Sequence, residues 1–445
     1  MAEPPRAGLA RAARLSTLPL GAAARAVRGA GRRLSGQSAD EVLAQRQADS
    51  ARQLFEVLGG LKGGAMKVGQ FLSLMESALP AEQTEAYRES LTRLQSAAPA
   101  MSGEAVGQVL GEELGQDWRS LFTSFDESAA AAASIGQVHR AVWRDGRPVA
   151  VKVQYPGAER ALMADITALS RFARVSGGLF PGLDIEPILT ELRRRLREEV
   201  DYRLEGDAQE QFGQFYADDP TYAVPGVVEV TQRVLVTEWL DGVPLSTLID
   251  RAPQGDRDRA ASAYLRLLLQ APERAGLLHA DPHPGNFLVL PDGRLGVLDF
   301  GAVNRLPDGL PGGLSRVLSA AAHGDADELV EVLRDEGFVR RSVDVDAEAI
   351  RAFVDRFLRP LQAEEFTFSR GWMRETFADL QDPRSEGFRV GLTLNLPPEY
   401  VLVQRVWLGG LAVLSQLEAT VPMREIVRAA MPGALNSPPA DERGV

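Results

Sequence analysis

Hydrophobic positions follow a helical spacing over residues 39–115 and change to short extended runs from about Trp118. Ser102 stands directly before the last helical repeat, where a serine side chain can cap a helix N-terminus. The pattern therefore predicts a helical subdomain followed by a segment that contains β-strands.

The pattern predicts two hairpins in the remainder of the chain. Strand-like runs before residue 242 lie at 137–143, 148–154, 226–230 and 233–239. Asp145-Gly146 joins the first two runs in a turn sequence typical of hairpins. Residues 184–216 are typical of one long charged helix. After residue 242 the pattern is helical, except for a strand-turn-strand unit at 287–290 and 295–298.

The charge of the chain is unevenly distributed. The formal net charge is −12, which argues against a nucleic-acid partner, and the absence of cysteine excludes disulfides, thiolate metal sites and a cysteine nucleophile. Residues 1–38 nevertheless carry seven arginines against the single acid Glu3. This segment is either a basic amphipathic element that meets an anionic membrane surface or a loosely ordered basic tail.

No apolar run reaches the roughly 18 residues of a membrane-spanning helix, the best being 406–414. We therefore expect a soluble or peripheral protein.

Lysine is scarce in this chain. Only Lys62, Lys67 and Lys152 occur among 49 basic residues. Where arginine replaces lysine so widely, the lysines that remain are candidates for positions that need a compact ammonium group.

A catalytic motif of phosphotransferases lies in the second half of the chain. HADPHPGN at 279–286 fits H-x-D-x-x-x-x-N, and D-F-G follows at 299–301. We expect Asp281 to meet the attacking hydroxyl or water, and Asn286 and Asp299 to hold Mg²⁺ against the phosphates of ATP or ADP. The alternative is that these residues only cap turns.

Lys152 interrupts a buried-strand pattern at 149–153. A buried lysine needs a carboxylate partner, and the V-A-I-K position of kinases pairs such a lysine with a helix glutamate and the nucleotide phosphates. The candidates are Glu199 and Glu205, which are six residues apart and do not share one helix face. Glu199 is the preferred partner.

The nucleotide would be covered by an alanine-rich loop. This loop precedes the strand-turn-strand unit that ends in Lys152, at the place of a glycine-rich phosphate loop, and its residues are Ala131, Ala132, Ala133 and Ser134. A helical alanine run is the alternative. Backbone groups from Glu238 to Leu240 are expected to meet the adenine.

Four motifs together resemble a known family. KVGQ at 67–70, the alanine loop, EVD at 199–201 and HADPHPGN at 279–286 are similar to the K-x-G-Q, A-A-A-S, E-x-D and H-x-D-P-H-x-G-N motifs of the UbiB/AarF atypical kinase-like family. The resemblance implies Mg-dependent nucleotide binding, ATPase or small-molecule kinase activity, and support of isoprenoid-quinone lipid synthesis at a membrane.

The resemblance also implies a role for the helical extension. In this family the K-x-G-Q helix lies over the active site, where its lysine meets the E-x-D carboxylates. Carried over, Lys67 and Gln70 would face Glu199, Asp201 or Glu205, and Gly69 would belong to the same regulatory motif. The C-terminal membrane-spanning pair of some members is not evident here. Ala280, in place of the arginine of H-R-D, and the lack of A-P-E speak against protein kinase activity.

The predicted fold is α+β and atypical protein-kinase-like, with a β-containing N-lobe, a mainly helical C-lobe and an N-terminal helical extension. The predicted segments are 1–38 (basic), 39–115 (extension), 116–240 (N-lobe), 241–431 (C-lobe) and 432–445 (disordered tail). The expected location is cytoplasmic or peripheral at the inner face of a membrane, with a lipid or quinone precursor as candidate partner. The alternatives are an antibiotic- or choline-kinase-like phosphotransferase and a catalytically silent nucleotide-gated scaffold.

Overall fold

The computed structural model describes most of the chain beyond residue 100. The described residues are 101–133, 135–160, 162–163, 167, 190, 193–194, 197–198, 200–382 and 384–432. The predicted basic segment, the extension before Met101 and all of the predicted tail after Pro432 lie outside them. The strands and helices given below combine into an α+β fold with a sheet-rich N-terminal part and a helix-rich C-terminal part.

A five-stranded antiparallel sheet forms the first part, in the order β1-β2-β3-β6-β5. Its strands are β1 (Phe122–Ala132), β2 (Gly136–Trp143), β3 (Pro148–Gln154), β5 (Val227–Val230) and β6 (Val234–Glu238). The predicted hairpin between β2 and β3 is confirmed, and Gly146 adopts a φ of +92° at its turn, which a residue with a Cβ adopts only under strain.

The alanine run belongs to this sheet. Ala131 pairs with Val138 and Ala132 with Gln137 across β1 and β2. The alternative of a helical alanine run is therefore wrong, because pairing with β2 satisfies the backbone groups that a helix would otherwise satisfy internally.

Helix α1 (Gly103–Leu114) packs on this sheet. The predicted serine cap is confirmed, since the Ala105 N–H donates to the Ser102 side chain. The helix buries Val106 and Leu110 in one cluster with Trp143 of β2 and the valines of β3. Burial of this apolar stripe holds α1 against the strands.

The long helix predicted at 184–216 is interrupted at its middle. Helix α2 covers Tyr202–Tyr216, with Asp201 as its extended N-cap, and Val200 lies in a turn. Asp201 accepts from the Arg203 N–H, so the cap satisfies a backbone donor at the start of a new helix. Because of this break, Glu199 precedes helix α2 and Glu205 lies within it, so helical spacing does not relate the two residues.

Helices dominate the second part, with small sheets between them. The helices are α3 (Leu245–Arg251), α4 (Gln254–Ala275), α5 (Gly312–His323), α6 (Ala326–Asp335), α7 (Ala347–Gln362), α8 (Arg370–Gln381), α9 (Glu386–Thr393), α10 (Val401–Leu417) and α11 (Met423–Ala430). The remaining strands are β4 (Tyr222–Ala223), β7 (Val243–Pro244), β8 (Leu277–His279), β9 (Phe287–Val289), β10 (Leu295–Val297), β11 (Val303–Arg305), β12 (Phe366–Thr367) and β13 (Thr420–Val421). The predicted β9–β10 hairpin is confirmed; the β8–β11 pair was not predicted.

Helix α10 crosses the helical core. Within the described residues, one segment, Pro398–Leu417, has the length and apolar composition to cross a membrane, and half of its apolar window is buried inside the protein. It is longer than the apolar run noted in the sequence. Leu411 and Leu414 of this helix lie in the same core cluster as Leu268 of α4, as expected of a helix in a protein interior.

Candidate active site

Lys152 is the centre of a group of charged side chains from three elements. Lys152 lies on β3, and its Nζ contacts Glu205 of α2 at 2.6 Å (Oε1) and 2.9 Å (Oε2). The same Nζ is 3.5 Å from Asp299 Oδ2 of the D-F-G segment. One ammonium group therefore joins the strand, the helix and the D-F-G turn.

The ammonium is stabilised as a cation. Burial alone would lower the pKa of Lys152, but the carboxylates of Asp299 and Glu205 outweigh burial and hold the pKa well above its usual range. The ring of Tyr202 lies beneath the charge, with its centroid 5.1 Å from Nζ. Lys152 therefore stays charged at physiological pH and can attract phosphate oxygens.

The carboxylate that pairs with Lys152 is Glu205, and the preference for Glu199 was wrong in this respect. The reason is the break before α2, because a helix that begins at Tyr202 places Glu205 in its first turn, facing β3. Glu199 lies outside the described residues. The Glu205 side chain is 4% exposed, so its charge is neutralised by the lysine rather than by water.

Two strands bring residues 279–286, the predicted catalytic segment, close to the D-F-G segment at 299–301. His279 at the end of β8 pairs with Val303 of β11, and the Ala280 N–H donates to the Ala302 carbonyl at 2.7 Å. His279 Nε2 lies 2.5 Å from the Asp299 carbonyl oxygen. Since a carbonyl only accepts, Nε2 carries the proton, and burial lowers the pKa of His279 and keeps the ring neutral.

Asn286 and Asp299 lie at the same end of the β9–β10 hairpin. The Leu298 N–H donates to the Asn286 carbonyl at 2.9 Å, which places Asp299 next to the asparagine. Asn286 Nδ2 donates to the Asp281 carbonyl, so its Oδ1 is the end left for a cation. The described residues contain no cluster of three or more acidic, histidine or cysteine side chains suited to a metal.

A magnesium ion fits this donor set. Mg²⁺ prefers oxygen ligands and is usually bound by one or two carboxylates or amides together with substrate phosphates and water. Asn286 and Asp299 supply such oxygens. Asp299 Oδ1 also accepts from the Gly301 N–H at 2.9 Å, which fixes the orientation of its carboxylate.

Asp281 contacts α10 and the adjacent Pro282 contacts α4, and the sequence pattern indicated neither contact. The Asp281 side chain is 7% exposed, and Oδ1 lies 3.1 Å from Arg405 Nη2 on α10. Tyr264 of α4 donates to the carbonyl of the adjacent Pro282 at 2.6 Å. A charged residue within the apolar sequence of α10 is the signal that could have identified Arg405.

Ala131 and Ala132 of the predicted nucleotide cover belong to strand β1 rather than to a loop, and Ala133 lies in the turn that leads to β2. The Ala133 N–H donates to the Gly136 carbonyl at 2.9 Å, and Ser134 lies outside the described residues. A Cβ at Gly136 would lie 2.3 Å from the Val153 carbonyl oxygen and 2.9 Å from the Tyr202 hydroxyl, so glycine is required beside β3. This close packing places the turn next to the ring beneath Lys152.

The predicted adenine segment links the two parts of the fold. Glu238 ends β6, its N–H donates to the Gly226 carbonyl, and its side chain accepts from the Gly226 N–H. Leu240 packs against a small cluster that contains Leu288 and Leu290. The roles of Glu238 and Leu240 toward a nucleotide stay predictions.

Of the predicted K-x-G-Q group, Asp201 and Glu205 lie among the described residues. Asp201 accepts from Arg203 at 2.9 Å (Nε) and 2.7 Å (Nη2), which lowers the pKa of the carboxyl. Lys67, Gly69 and Gln70 lie outside the described residues. The expected contact between these residues and the E-x-D carboxylates stays a prediction.

Comparison with known families agrees with this geometry. Residues 93–333 match the family model of the ABC1 atypical kinase-like domain, which is more than half of the chain. The chain belongs to this family. The resemblance to UbiB/AarF proteins is thereby confirmed, as is the atypical kinase-like α+β fold.

Relatives within the family come from several kingdoms. The rat mitochondrial atypical kinase COQ8B is 36% identical over 65% of this chain and 55% of its own length. The chloroplastic ACTIVITY OF BC1 COMPLEX KINASE 1 of Arabidopsis thaliana is 34% identical over 66% of this chain and 44% of its own. This chain therefore spans about half the length of the curated relatives it matches.

A solved structure covers more of the chain than these two relatives do. The Mycobacterium tuberculosis protein Rv3197, in complex with erythromycin, is 40% identical, with a TM-score of 0.66 over 90% of this chain and all of the other. At this identity the likeness extends beyond the general fold to the family itself.

Proposed function

We propose that this protein binds ATP or ADP with Mg²⁺ and catalyses phosphoryl transfer to a small or lipid-like acceptor, or to water. The observation that carries this proposal is the contact of Lys152 with both Glu205 and Asp299. That contact supports the proposal because it brings an ammonium group able to bind phosphate and a carboxylate able to bind a metal to one point, as phosphoryl transfer requires.

Each side chain has a distinct role in this reaction. Lys152 binds phosphate oxygens and is oriented by Glu205. Asn286 and Asp299 hold Mg²⁺, which neutralises phosphate charge when it is bound. Asp281 orients the nucleophile and accepts its proton as the oxygen–phosphorus bond forms, while the bond from the γ-phosphorus to the bridging oxygen breaks and ADP leaves with its electrons.

The biological setting is also part of the proposal. Relatives named as mitochondrial COQ8 kinases support a role in isoprenoid-quinone or related lipid metabolism. The seven arginines of residues 1–38 support contact with an anionic membrane surface from the cytoplasmic side. The nucleotide and a lipid or quinone precursor are the proposed partners.

The test is phosphate release from Mg–ATP with and without anionic vesicles. We expect Asp281→Asn to lower turnover by at least about 100-fold while Mg–ATP still binds, since it removes the proton acceptor. Asp292→Asn, which changes an exposed carboxylate in the β9–β10 turn, is the matched control and should keep full turnover. Equal turnover of wild type and Asp281→Asn would favour the silent scaffold instead.

A second candidate comes from the erythromycin complex of the related Mycobacterium tuberculosis protein. It favours recognition of a bulky lipophilic small molecule, either as phosphoryl acceptor or as effector. Titration of the wild-type protein with erythromycin, followed by mass analysis after incubation with Mg–ATP, separates these roles. A phosphorylated macrolide would support the antibiotic-kinase alternative, and binding without modification would support an effector role.

A further inference from the structure

Arg405 of helix α10 is a largely buried cation that contacts Asp281, the proposed catalytic aspartate. Arg405 is the sole charged residue in Val401–Leu417, its side chain is 15% exposed, and Nη2 lies 3.1 Å from Asp281 Oδ1. Burying a guanidinium in an apolar helix costs free energy unless a charge partner is present. The partner here is the side chain proposed to act on the nucleophile.

The packing of α10 fixes this arrangement. Gly409 lies one turn after Arg405, and a Cβ at that position would lie 2.3 Å from Cγ of Pro282, the residue after Asp281. The Tyr264 hydroxyl donates to the Pro282 carbonyl from α4. Helix α10 and the catalytic segment therefore meet with no room for a side chain at Gly409, which sets how closely Arg405 approaches Asp281.

The guanidinium retains capacity for a further ligand. Within the part of the chain that the structure describes, Arg405 makes a single polar contact, to one oxygen of Asp281. A guanidinium has several N–H donors in a planar fork that matches phosphate oxygens. The remaining N–H donors of Arg405 belong to a guanidinium that lies 3.1 Å from the carboxylate proposed to orient the nucleophile.

The site also concentrates charged groups. Glu205, Asp281 and Asp299 bring carboxylates to the region that holds Lys152 and Arg405. A nucleoside triphosphate brings more negative charge to the same region. Arg405 reduces the repulsion at the end of the site where the transferred group lies.

We propose that Arg405 binds the terminal phosphoryl group of the nucleotide, both before and during its transfer. The proposal rests on the proposed function. Because Asp281 must lie within hydrogen-bond reach of the attacking oxygen, a group 3.1 Å from Asp281 lies next to the phosphorus under attack. As the bond to the bridging oxygen breaks and the bond to the attacking oxygen forms, Arg405 contacts the γ-phosphoryl oxygens, whereas ADP alone has no group at this position.

The experiment compares nucleotide affinities of the full chain. Probes are ADP, the non-hydrolysable ATP analogue AMP-PNP, and ADP with orthovanadate, each with Mg²⁺. For Arg405→Gln we expect the Kd of AMP-PNP or of ADP–vanadate to rise about tenfold or more, with the Kd of ADP within about twofold of wild type. Arg405→Lys, which keeps the charge without the fork, should recover part of the loss.

A matched control lies outside the site. Arg266→Gln removes a partly buried arginine that contacts Glu425 at 2.9 Å and should leave all three affinities unchanged. Gly409→Ala tests the same inference without altering Arg405, since its methyl group displaces α10 from Pro282 and should reproduce the selective loss of AMP-PNP affinity. Thermal unfolding of every variant establishes that it is folded.

Each outcome has a defined meaning. Equal weakening of ADP and AMP-PNP in Arg405→Gln, or no weakening of either AMP-PNP or ADP–vanadate, would overturn the assignment of Arg405 and leave the proposed function intact. If the wild-type protein binds none of the three probes, the proposed function fails and the role of Arg405 fails with it.

Discussion

At the scale of single residues, the contact between Lys152 and Glu205 involves both carboxylate oxygens of the glutamate. The ammonium contacts both oxygens of a carboxylate that is 4% exposed, so removal of one partner leaves the other in a poorly solvated place. Asp299 lies within reach of the same ammonium and offers an alternative partner. The position of the Lys152 ammonium therefore depends on Glu205.

We predict that Glu205→Gln lowers the free energy of unfolding by about 1–3 kcal/mol, because a charged hydrogen bond is lost in a buried place. The lysine is then drawn toward Asp299, and Mg–ATP affinity should fall roughly tenfold. Urea denaturation and nucleotide titration measure the two effects. Glu210→Gln, an exposed change on the same helix, is the control, and equal behaviour of the two variants would contradict the prediction.

At the scale of elements, apolar packing and one cluster of charged side chains hold α1 against the sheet. Arg233 precedes β6 and contacts Glu113 at 2.7 Å and Glu112 at 2.8 Å, both on α1. Burial alone would raise the pKa of Glu113, but hydrogen bonds from Thr231 and Arg233 outweigh burial and lower it. A carboxyl with a depressed pKa in the folded state stabilises the fold above its unfolded pKa of about 4.

We predict that Glu113→Gln lowers the free energy of unfolding by about 1–2 kcal/mol at pH 7. The difference in the free energy of unfolding between this variant and wild type should shrink as the pH falls below about 4. The wild-type carboxyl then becomes protonated and no longer stabilises the fold. Urea denaturation at pH 7, 5 and 3.5 tests this trend. Glu127→Gln removes an exposed pair with Arg119 and should change stability by less than about 0.5 kcal/mol at each pH.

At the scale of the whole molecule, an aromatic cluster connects the helix that carries Glu205 to the D-F-G segment. Phe212 of α2 lies 5.1 Å from Phe300, and Phe300 lies 5.6 Å from His279, measured between ring centroids. Phe212 and Phe300 are almost fully buried in the main core cluster. The core thus sets the distance between Glu205 and Asp299.

We predict that Phe212→Ala lowers the free energy of unfolding by about 3–5 kcal/mol and weakens Mg–ATP binding as well, because the resulting cavity loosens α2 against the D-F-G segment. Phe368→Ala is the matched control, since Phe368 is equally buried but makes edge-to-face contacts with Phe366 and Trp372 instead. It should lose similar stability with unchanged nucleotide affinity in the fraction that remains folded. Equal affinity losses in both variants would refute the coupling.

Features that depend on short spans of chain follow from the amino-acid sequence. The β2–β3 and β9–β10 hairpins follow from apolar runs joined by Asp-Gly turns, whose backbone preference is local. The serine cap of α1 is equally local. The identities of Lys152, Asp281, Asn286 and Asp299 were predicted because phosphoryl transfer requires these residue types at nearly fixed spacing.

Contacts between groups that are distant along the chain depend on how the helices and strands pack. Lys152 and Glu205 are 53 residues apart, and Asp281 and Arg405 are 124 apart. Helical periodicity could not choose between Glu199 and Glu205, because the helix is interrupted just before Tyr202. Nor could it place Arg405, since a single arginine in an apolar helix acquires its partner only when that helix packs against the catalytic segment.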